Sequence, residues 1–264
     1  MIQPRPTTAR DPWVVIPRPT PNARLRLICF PYAGGGASIY GRWPAQLPPE
    51  VEVVAAQLPG RESRLAETPI ADMNKLVDRL AEALAPYMDR PFVLFGHSNG
   101  GLMAFELIRR LQAAGCRMPL HLFVSGRPAP QVELTDPPVH DLPHDEFMET
   151  LRRFGGTPEE VLQNEEIMAL MAPVLRADFA LGETYHYEPR PPLDLPISAY
   201  AGETDAEVPV WQVEAWREQA GGAFQFRLFP GGHFFLQENQ PEVLEQLRGE
   251  LQGIVRRLSP YGGV

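Results

Sequence analysis

The sequence is poor in cysteine, in lysine and in long apolar runs. Its two cysteines, Cys29 and Cys116, are too few for a disulfide framework and stand among apolar residues, so we expect reduced thiols in a cytoplasmic protein. No apolar run approaches the roughly 20 residues of a membrane-spanning helix. The first residues contain no apolar stretch suited to a signal peptide. These absences argue against secreted disulfide scaffolds and against membrane proteins.

Positive charge is also scarce. Lys75 is the single lysine and the formal net charge is −9 at pH 7, which argues against nucleic acid as a partner. The 264 residues are 44% hydrophobic and 22% charged, as is ordinary for one large globular domain. The sequence contains no HExxH motif and no paired cysteines, so metal binding has little support. We expect a monomer with no metal and no cofactor.

The stretch from Phe92 to Gly101 carries the clearest signal. An apolar run ends in Gly96-His-Ser98-Asn-Gly100, and apolar residues at helical spacing follow. This order predicts a strand, a tight turn and a helix, with the Ser98 hydroxyl exposed above the carboxyl end of a sheet. A glycine on either side of the serine suits a backbone too crowded for a Cβ. The alternative is a structural turn, but the placement between strand and helix favours a nucleophile.

A second glycine-rich segment, Phe30–Gly36, follows an earlier strand pattern. Three successive glycines fit a flexible turn, or a loop whose backbone approaches a ligand closely. In the second interpretation, an N–H group of Tyr32 or Ala33 stabilises an oxyanion. The N–H group of Asn99 is then the other donor. The position one strand ahead of the serine turn favours the second interpretation.

Strand and helix patterns alternate through most of the chain, which predicts a mostly parallel sheet with helices on both faces. Strands are predicted at 25–30, 52–57, 92–96, 121–126, 196–201 and 224–229. Helices are predicted at 39–47, 68–84, 208–219 and 241–258, with another from Ser98 to Gly115. We assign 23–127 and 193–258 to this α/β core, 1–22 to an extended proline-rich tail and 259–264 to a C-terminal tail.

Residues 128–192 show no strand pattern but several short helical patterns, which we call the lid. Helices are predicted at 145–154, 165–171 and 174–187, with breaks at Gly155-Gly156 and Pro173 and a capping box at 157–160. The segment either packs on the sheet or caps an active site with a pocket for an acyl chain, and its place between two strands favours the cap. The predicted pocket residues are Tyr32, Phe147, Phe154, Met171, Phe179 and Phe234.

Three residues with complementary chemistry stand at predicted strand ends in the order Ser98, Asp205, His233. A serine hydroxyl needs a base to become a nucleophile, and a neutral imidazole can take its proton. A carboxylate on the other ring nitrogen fixes the tautomer and stabilises the imidazolium. The order nucleophile, acid, histidine is the one that α/β-hydrolases use. The sequence therefore predicts a catalytic triad.

Other residues compete for these roles. Asp178 and Asp194 are alternative acids, but they belong to the lid or its exit, so Asp205 is favoured. His97 adjoins the nucleophile, yet its side chain must point away from that of Ser98, so it is interpreted as a packing residue. Arg61 either orients a polar substrate group or forms a structural ion pair, and the ion pair is favoured.

These motifs together resemble those of the type II thioesterases, the stand-alone editing hydrolases of polyketide and nonribosomal peptide synthetases. The resemblance covers nearly all of 25–258. Its matching motifs are Phe30–Gly35, Gln57–Arg61, Gly96–Gly100, Arg152–Pro158, Val174–Asp178, Glu183–Tyr185, Gly202–Asp205 and Gly232–Phe235.

The resemblance implies an α/β-hydrolase fold with the triad Ser98, Asp205 and His233. It further implies an oxyanion hole from the N–H groups of Asn99 and one near Ala33. The implied substrate is an acyl group on the phosphopantetheine arm of an acyl or peptidyl carrier protein. A small-molecule carboxylesterase and a catalytically silent binding protein of the same fold remain alternatives.

The family usually has Met where this chain has Asn99. The backbone donor survives that change, but the amide is expected to make the acyl pocket more polar and to alter the preference among acyl chains.

Overall fold

The chain forms a seven-stranded sheet with helices on both faces, as a computed structural model that describes residues 11–133 and 137–258 shows. The strands are β1 Val14–Val15, β2 Leu25–Phe30, β3 Val51–Ala56, β4 Phe92–His97, β5 Leu122–Ser125, β6 Ile197–Gly202 and β7 Phe224–Phe229. Their order across the sheet is β1-β3-β2-β4-β5-β6-β7. Strands β2 to β7 run parallel and β1 pairs antiparallel with β3. The predicted α/β-hydrolase architecture with a mostly parallel sheet is confirmed.

Eight α-helices lie in the described part of the chain. They are α1 Met73–Leu84, α2 Asn99–Ala113, α3 His144–Phe154, α4 Glu159–Leu162, α5 Glu165–Glu183, α6 Val210–Glu214, α7 Phe235–Glu238 and α8 Gln240–Arg257. Short 3-10 turns occur at Ala37–Tyr40, Trp43–Ala45, Glu62–Arg64, Ala85–Tyr87 and Ala215–Gln219. No helix in 11–133 or 137–258 is both long and apolar enough to cross a membrane.

The sheet separates two apolar cores. Helices α1 and α2 cover one face, and α8 covers the other together with the 3-10 turns at 37–45. Alternate residues of β2 point to opposite cores, Ile28 to the first and Leu27 to the second, because successive side chains of a strand face opposite ways. Both faces are buried, so β2, β3 and β4 contain no exposed residue.

The structure corrects several predicted boundaries. Helix α1 begins at Met73, not at Pro69, because the side chain of Asp72 accepts a hydrogen bond from the Lys75 N–H and so caps the helix. The predicted helix at 39–47 is two 3-10 turns. The capping box at 157–160 is absent, since the helix begins after Pro158 without a side-chain cap.

The predicted N-terminal tail is partly incorporated into the sheet. Residues 1–10 lie outside the described part of the chain, but Trp13 is buried and Val14–Val15 pairs with β3. The Arg64 guanidinium stacks on the Trp13 ring at 4.1 Å, a cation–π contact that holds this segment on the body. The short C-terminal tail, 259–264, lies outside the described residues.

In the lid, Gly155 ends α3 in the left-handed conformation, with a φ of +69°, as its sequence predicts. The predicted break at Pro173 is wrong, because α5 continues through it from Glu165 to Glu183. A proline inside a helix frees the carbonyl four residues earlier, here that of Ala169. Both residues are exposed, so water can satisfy that carbonyl, and the buried face of the helix stays intact.

Candidate active site

The loops that carry the predicted triad meet at one edge of the sheet. Ser98 follows β4, Asp205 follows β6 and His233 follows β7, and these parallel strands all end at the same edge. A Cβ on Gly202 would overlap the carbonyl of Gly232, so the loops after β6 and β7 approach each other backbone to backbone. This edge is where open α/β sheets place their ligands.

Ser98 occupies a strained turn. Its φ of +51° and ψ of −123° are rarely adopted by a residue with a side chain. A Cβ on Gly96 would overlap Gly100, and one on Gly100 would overlap the carbonyl of Phe30. Only glycine therefore fits on either side, and the predicted reason for both glycines holds. Such strain is characteristic of a serine presented at a strand-to-helix turn.

Asp205 and His233 form a hydrogen-bonded pair. His233 Nδ1 lies 2.8 Å from Asp205 Oδ2. The other carboxylate oxygen accepts the N–H groups of Glu207 and Val208, each at 2.9 Å. The Asp205 side chain is 1% exposed, so its three hydrogen bonds replace the water that a buried carboxylate loses. The carboxylate is thereby aimed at the imidazole and leaves Nε2 to face a substrate.

The other acids stand elsewhere. Asp178 is buried against Arg61 and Asp194 is exposed. Within the described residues, Ser98 Oγ makes no hydrogen bond with His233. Catalytic hydrogen bonds are often long until substrate is bound, so the structure pairs the acid with the histidine but does not join the serine to them. The triad remains a prediction that this arrangement supports.

His97 packs directly on the predicted base. Its buried ring lies 5.2 Å from the His233 ring, and its Nδ1 lies 2.9 Å from Ser125 Oγ. Burial first, and the charge of His233 second, hold the pKa of His97 well below its ordinary value. A neutral His97 adds no positive charge beside His233, which would otherwise oppose proton uptake there. The predicted packing role of His97 agrees with this burial, but the contact with His233 was not predicted.

The predicted oxyanion donors are the N–H groups of Ala33 and Asn99. Asn99 is the first residue of α2, where a helix N–H has no intrahelical partner. The Ala33 N–H takes no part in the hydrogen bonds among the described residues. Both groups are therefore available to a ligand, and the positive end of α2 favours negative charge there.

The predicted pocket residues divide into two groups. Tyr32 and Phe234 are half-buried beside the active-site histidines, with their rings 5.5 Å apart, and a Cβ on Gly156 of the lid would overlap the Phe234 ring. Phe154, Met171 and Phe179 are half-buried against the apolar cluster of the lid. Phe147 is fully buried within that cluster, so its contacts are those of a packing residue.

Asn99 differs from its predicted role. Its Nδ2 donates to the Asp178 carbonyl at 2.6 Å, and its Oδ1 accepts from Arg127 Nη1 at 3.0 Å. The side chain is buried. The amide thus joins α5 to the end of β5, and both its donor and its acceptor are used inside the protein. This arrangement replaces the expectation of a more polar acyl pocket.

We expect Asn99→Met to act on stability rather than on acyl preference. The change removes two hydrogen bonds and leaves a half-buried guanidinium without this partner, which should lower the free energy of unfolding by about 1–3 kcal/mol. Urea unfolding and a chain-length profile on acyl thioesters check this. Leu120→Met, at an exposed apolar position, is the control. A changed profile at unchanged stability would contradict the expectation.

The described residues offer no group of three His, Cys, Asp or Glu side chains that could hold a metal ion. Both cysteines are free, and burial raises the pKa of the Cys29 thiol.

Comparison with known proteins identifies the family. Residues 25–251 match the model of the thioesterase domain. The gramicidin S biosynthesis protein GrsT of Aneurinibacillus migulanus is 43% identical over 240 residues, which cover 91% of this chain and 94% of that protein.

Two solved structures are similar throughout. The type II thioesterase BorB from the borrelidin biosynthetic cluster is 40% identical, with a TM-score of 0.83 over 93% of this chain and 100% of that one. The RedJ thioesterase from the prodiginine pathway of Streptomyces coelicolor is also 40% identical, with a TM-score of 0.83 over 94% and 97%. The recognition made from the sequence motifs is confirmed: the chain belongs to the thioesterase family, groups with its type II thioesterases and is a hydrolase of thioester bonds.

Proposed function

We propose that this thioesterase removes acyl groups from the phosphopantetheine thiol of carrier proteins, as an editing enzyme of polyketide or nonribosomal peptide biosynthesis. The observation that carries the chemistry is the Asp205–His233 pair, held at the sheet edge where Ser98 stands in a strained turn. The pathway rests on the relatives, whose names place them in the biosynthesis of such compounds.

The geometry supports a two-step mechanism. Ser98 Oγ attacks the thioester carbonyl carbon while His233 Nε2 takes its proton, and the N–H groups of Asn99 and Ala33 stabilise the tetrahedral oxyanion. The C–S bond then breaks and the thiolate takes the proton from His233. A thiolate leaves readily because thiols are far more acidic than alcohols. In the second step a water gives its proton to His233 and attacks the acyl-enzyme carbonyl carbon. The ester C–O bond to Ser98 then breaks, Ser98 Oγ takes the proton from His233, and the acid is released.

Asp205 stabilises the imidazolium in both steps. Its carboxylate accepts the Nδ1–H, which keeps Nε2 free to exchange protons with Ser98, the thiolate and the water. We propose that the enzyme acts as a monomer in the cytoplasm, where its two free cysteines remain reduced. Its proposed partner is the carrier protein.

The lid supports a carrier-delivered substrate. Its turn at Gly155-Gly156 packs against Phe234, whose ring is 5.3 Å from that of His233, so the lid adjoins the predicted base. The protein has a net charge of −9, and carrier proteins of this family's pathways are generally acidic. Long-range attraction between the two is therefore weak, and docking depends on local apolar contacts and a few arginines.

Four arginines in the lid or beside it are candidates for docking, and they differ in their partners. Arg127 is bonded to Asn99, Arg152 pairs with Glu159 and Arg190 pairs with Glu188. Arg153 is exposed at the end of α3, with its guanidinium 5.5 Å from the Phe154 ring and no carboxylate partner in the described part of the chain. We propose Arg153 as the principal cation for docking.

The proposal is tested by measuring kcat/KM for the same acyl group as a thioester of a carrier protein, of coenzyme A and of a short thiol. We expect kcat/KM to be highest for the carrier, and Arg153→Glu to lower that value by roughly 3- to 10-fold, since a rim charge acts mainly through association. Arg153→Glu should leave kcat/KM for the short-thiol thioester unchanged. Arg248→Glu, on α8, exchanges another exposed arginine far along the chain from the lid and is the control.

Equal kcat/KM values for carrier and short thiol would contradict delivery by a carrier. A preference for oxygen esters would favour a carboxylesterase. Failure of a fluorophosphonate probe to label the serine would favour a catalytically silent binding protein.

A further inference from the structure

The segment that carries the Ala33 N–H is a tight turn. The Gly35 N–H donates to the Tyr32 carbonyl at 2.9 Å, and Gly34 has a φ of +76°. Both features are those of a type II turn with glycine at its third position. In such a turn the N–H of the second residue, here Ala33, is not used by the turn. The direction of that N–H is therefore set by whatever holds the turn in place.

A carboxylate from the lid holds this turn. Asp178 Oδ2 accepts the Gly34 N–H at 2.7 Å and Arg61 Nη1 at 2.6 Å, and Oδ1 accepts Arg61 Nη2 at 2.9 Å. Arg61 Nη1 also donates to the Gly35 carbonyl at 3.2 Å. Two residues of the turn are thus bonded to one buried ion pair, whose side chains are 7% and 2% exposed.

The same residue is bonded to the second predicted donor. The backbone carbonyl of Asp178 accepts the Asn99 side-chain amide at 2.6 Å, and the N–H of Asn99 is the other half of the oxyanion hole. Leu175, one turn earlier on α5, packs directly against the turn of Ala33, since a Cβ on Gly34 would come within 2.7 Å of its side chain. Asp178 therefore links the turn of Ala33 to Asn99 at the start of α2. The separation of these two segments determines how well their N–H groups fit an oxyanion.

A purely structural ion pair elsewhere in the chain provides a comparison. Arg26 and Glu52 are also buried, with side chains 9% and 7% exposed and a contact of 2.8 Å. They lie at the amino-terminal ends of β2 and β3, the edge of the sheet opposite the active site. Both are buried pairs of an arginine with a carboxylate, although Arg26 also contacts the exposed Asp89 and Glu52 also accepts the Thr20 N–H. Comparison of the two pairs separates the cost of breaking a buried pair from any effect on the oxyanion hole.

We propose that Asp178 is a positioning residue of the oxyanion hole, which holds the turn of Ala33 and the side chain of Asn99 at a fixed separation. The inference rests on the proposed function, in which these two N–H groups are the donors. A consequence is that the second half of α5, from Val174 onward, is a fixed wall of the site.

Asp178→Asn tests this with a matched pair of inhibitors. An alkyl trifluoromethyl ketone is attacked by the serine and forms a tetrahedral oxyanion, whereas the methyl ketone of the same chain does not. We expect kcat on a short acyl thioester to fall roughly 10- to 100-fold, less than the loss of a whole donor costs. The trifluoromethyl ketone should bind more weakly by a similar factor, with KM and the methyl ketone affinity nearly unchanged.

Glu52→Gln is the control, and it should lower stability while leaving kcat and both inhibitor affinities unchanged. Arg61→Lys keeps the charge balance of Asp178 but loses the paired geometry. Arg61→Lys should lower kcat and trifluoromethyl ketone affinity by a smaller factor, with KM and methyl ketone affinity nearly unchanged. This variant tests the inference if Asp178→Asn does not fold.

Three outcomes would overturn the inference. The first is unchanged trifluoromethyl ketone affinity in Asp178→Asn and Arg61→Lys, and the second is a rise in the KM of these two variants without a loss of kcat. The third is an equal loss of kcat in Asp178→Asn and Glu52→Gln. Failure of the proposed function is distinct, because the wild-type enzyme would then neither hydrolyse the thioester nor bind the trifluoromethyl ketone more tightly than the methyl ketone.

Discussion

Ser98→Ala should abolish turnover while the protein stays folded. Alanine keeps the Cβ, so the crowded turn between Gly96 and Gly100 is unchanged and only the nucleophile is lost. We expect kcat on a carrier-bound thioester to fall by roughly 10⁶-fold, to the level that binding and the oxyanion donors supply alone. Steady-state hydrolysis measures kcat, thermal unfolding measures stability, and labelling with a fluorophosphonate probe reports the nucleophilic serine.

The control for this change is Ser63→Ala, at an exposed serine in the 3-10 turn Glu62–Arg64. It should keep full activity and full labelling. Retention of near wild-type rates by the Ser98 variant would show that another group is the nucleophile. A fall in kcat together with a large loss of stability would instead indicate that the hydroxyl supports the fold.

Asp205→Asn should give the second largest loss of kcat, after that of Ser98→Ala. The amide is nearly the same size, but its NH₂ group cannot accept the His233 Nδ1–H and favours the wrong tautomer. We expect kcat to fall by roughly 10⁴-fold, with the fold preserved. The N–H groups of Glu207 and Val208 can still donate to the remaining amide oxygen, so the loop keeps its shape. Hydrolysis rates and urea unfolding measure both expectations.

The other two candidate acids are the comparison. Asp194→Asn changes an exposed side chain and should leave kcat unchanged. Asp178→Asn should cost less than Asp205→Asn because Asp178 acts through the oxyanion donors and does not touch the base. A larger loss of kcat at Asp178 than at Asp205 would show that the acid has been assigned wrongly.

The features that the sequence predicted correctly depend on neighbours in the chain. The turn at Ser98 follows from glycines two residues away on either side, and the end of α3 follows from Gly155. The sheet strands follow from short apolar runs. In each of these cases the steric or hydrophobic cause lies within a few residues, so a linear pattern contains it.

The errors arose where distant contacts outweighed a local signal. Pro173 ordinarily ends a helix, yet α5 continues because the proline lies on its exposed face while Val174, Leu175 and Asp178 are buried. The proline-rich N-terminus predicted an extended tail with no docking position specified for Trp13–Ile16, and the structure shows Trp13 and Val14 buried against the body. Asn99 predicted a polar pocket, yet its partners Asp178 and Arg127 are 79 and 28 residues away.

By itself the sequence determined the family, the six parallel strands of the sheet with the main helices of the core, and the chemical types of the three predicted catalytic residues. It did so because backbone sterics and hydrophobic periodicity are local. The sequence favoured Asp205 as the acid, and the tertiary structure brings this carboxylate to His233. Only the tertiary structure decided what Asp178 holds. Arg61 and Asp178 are 117 residues apart, and no pattern of spacing specifies a pair that forms only when the lid helix packs against the turn of Ala33.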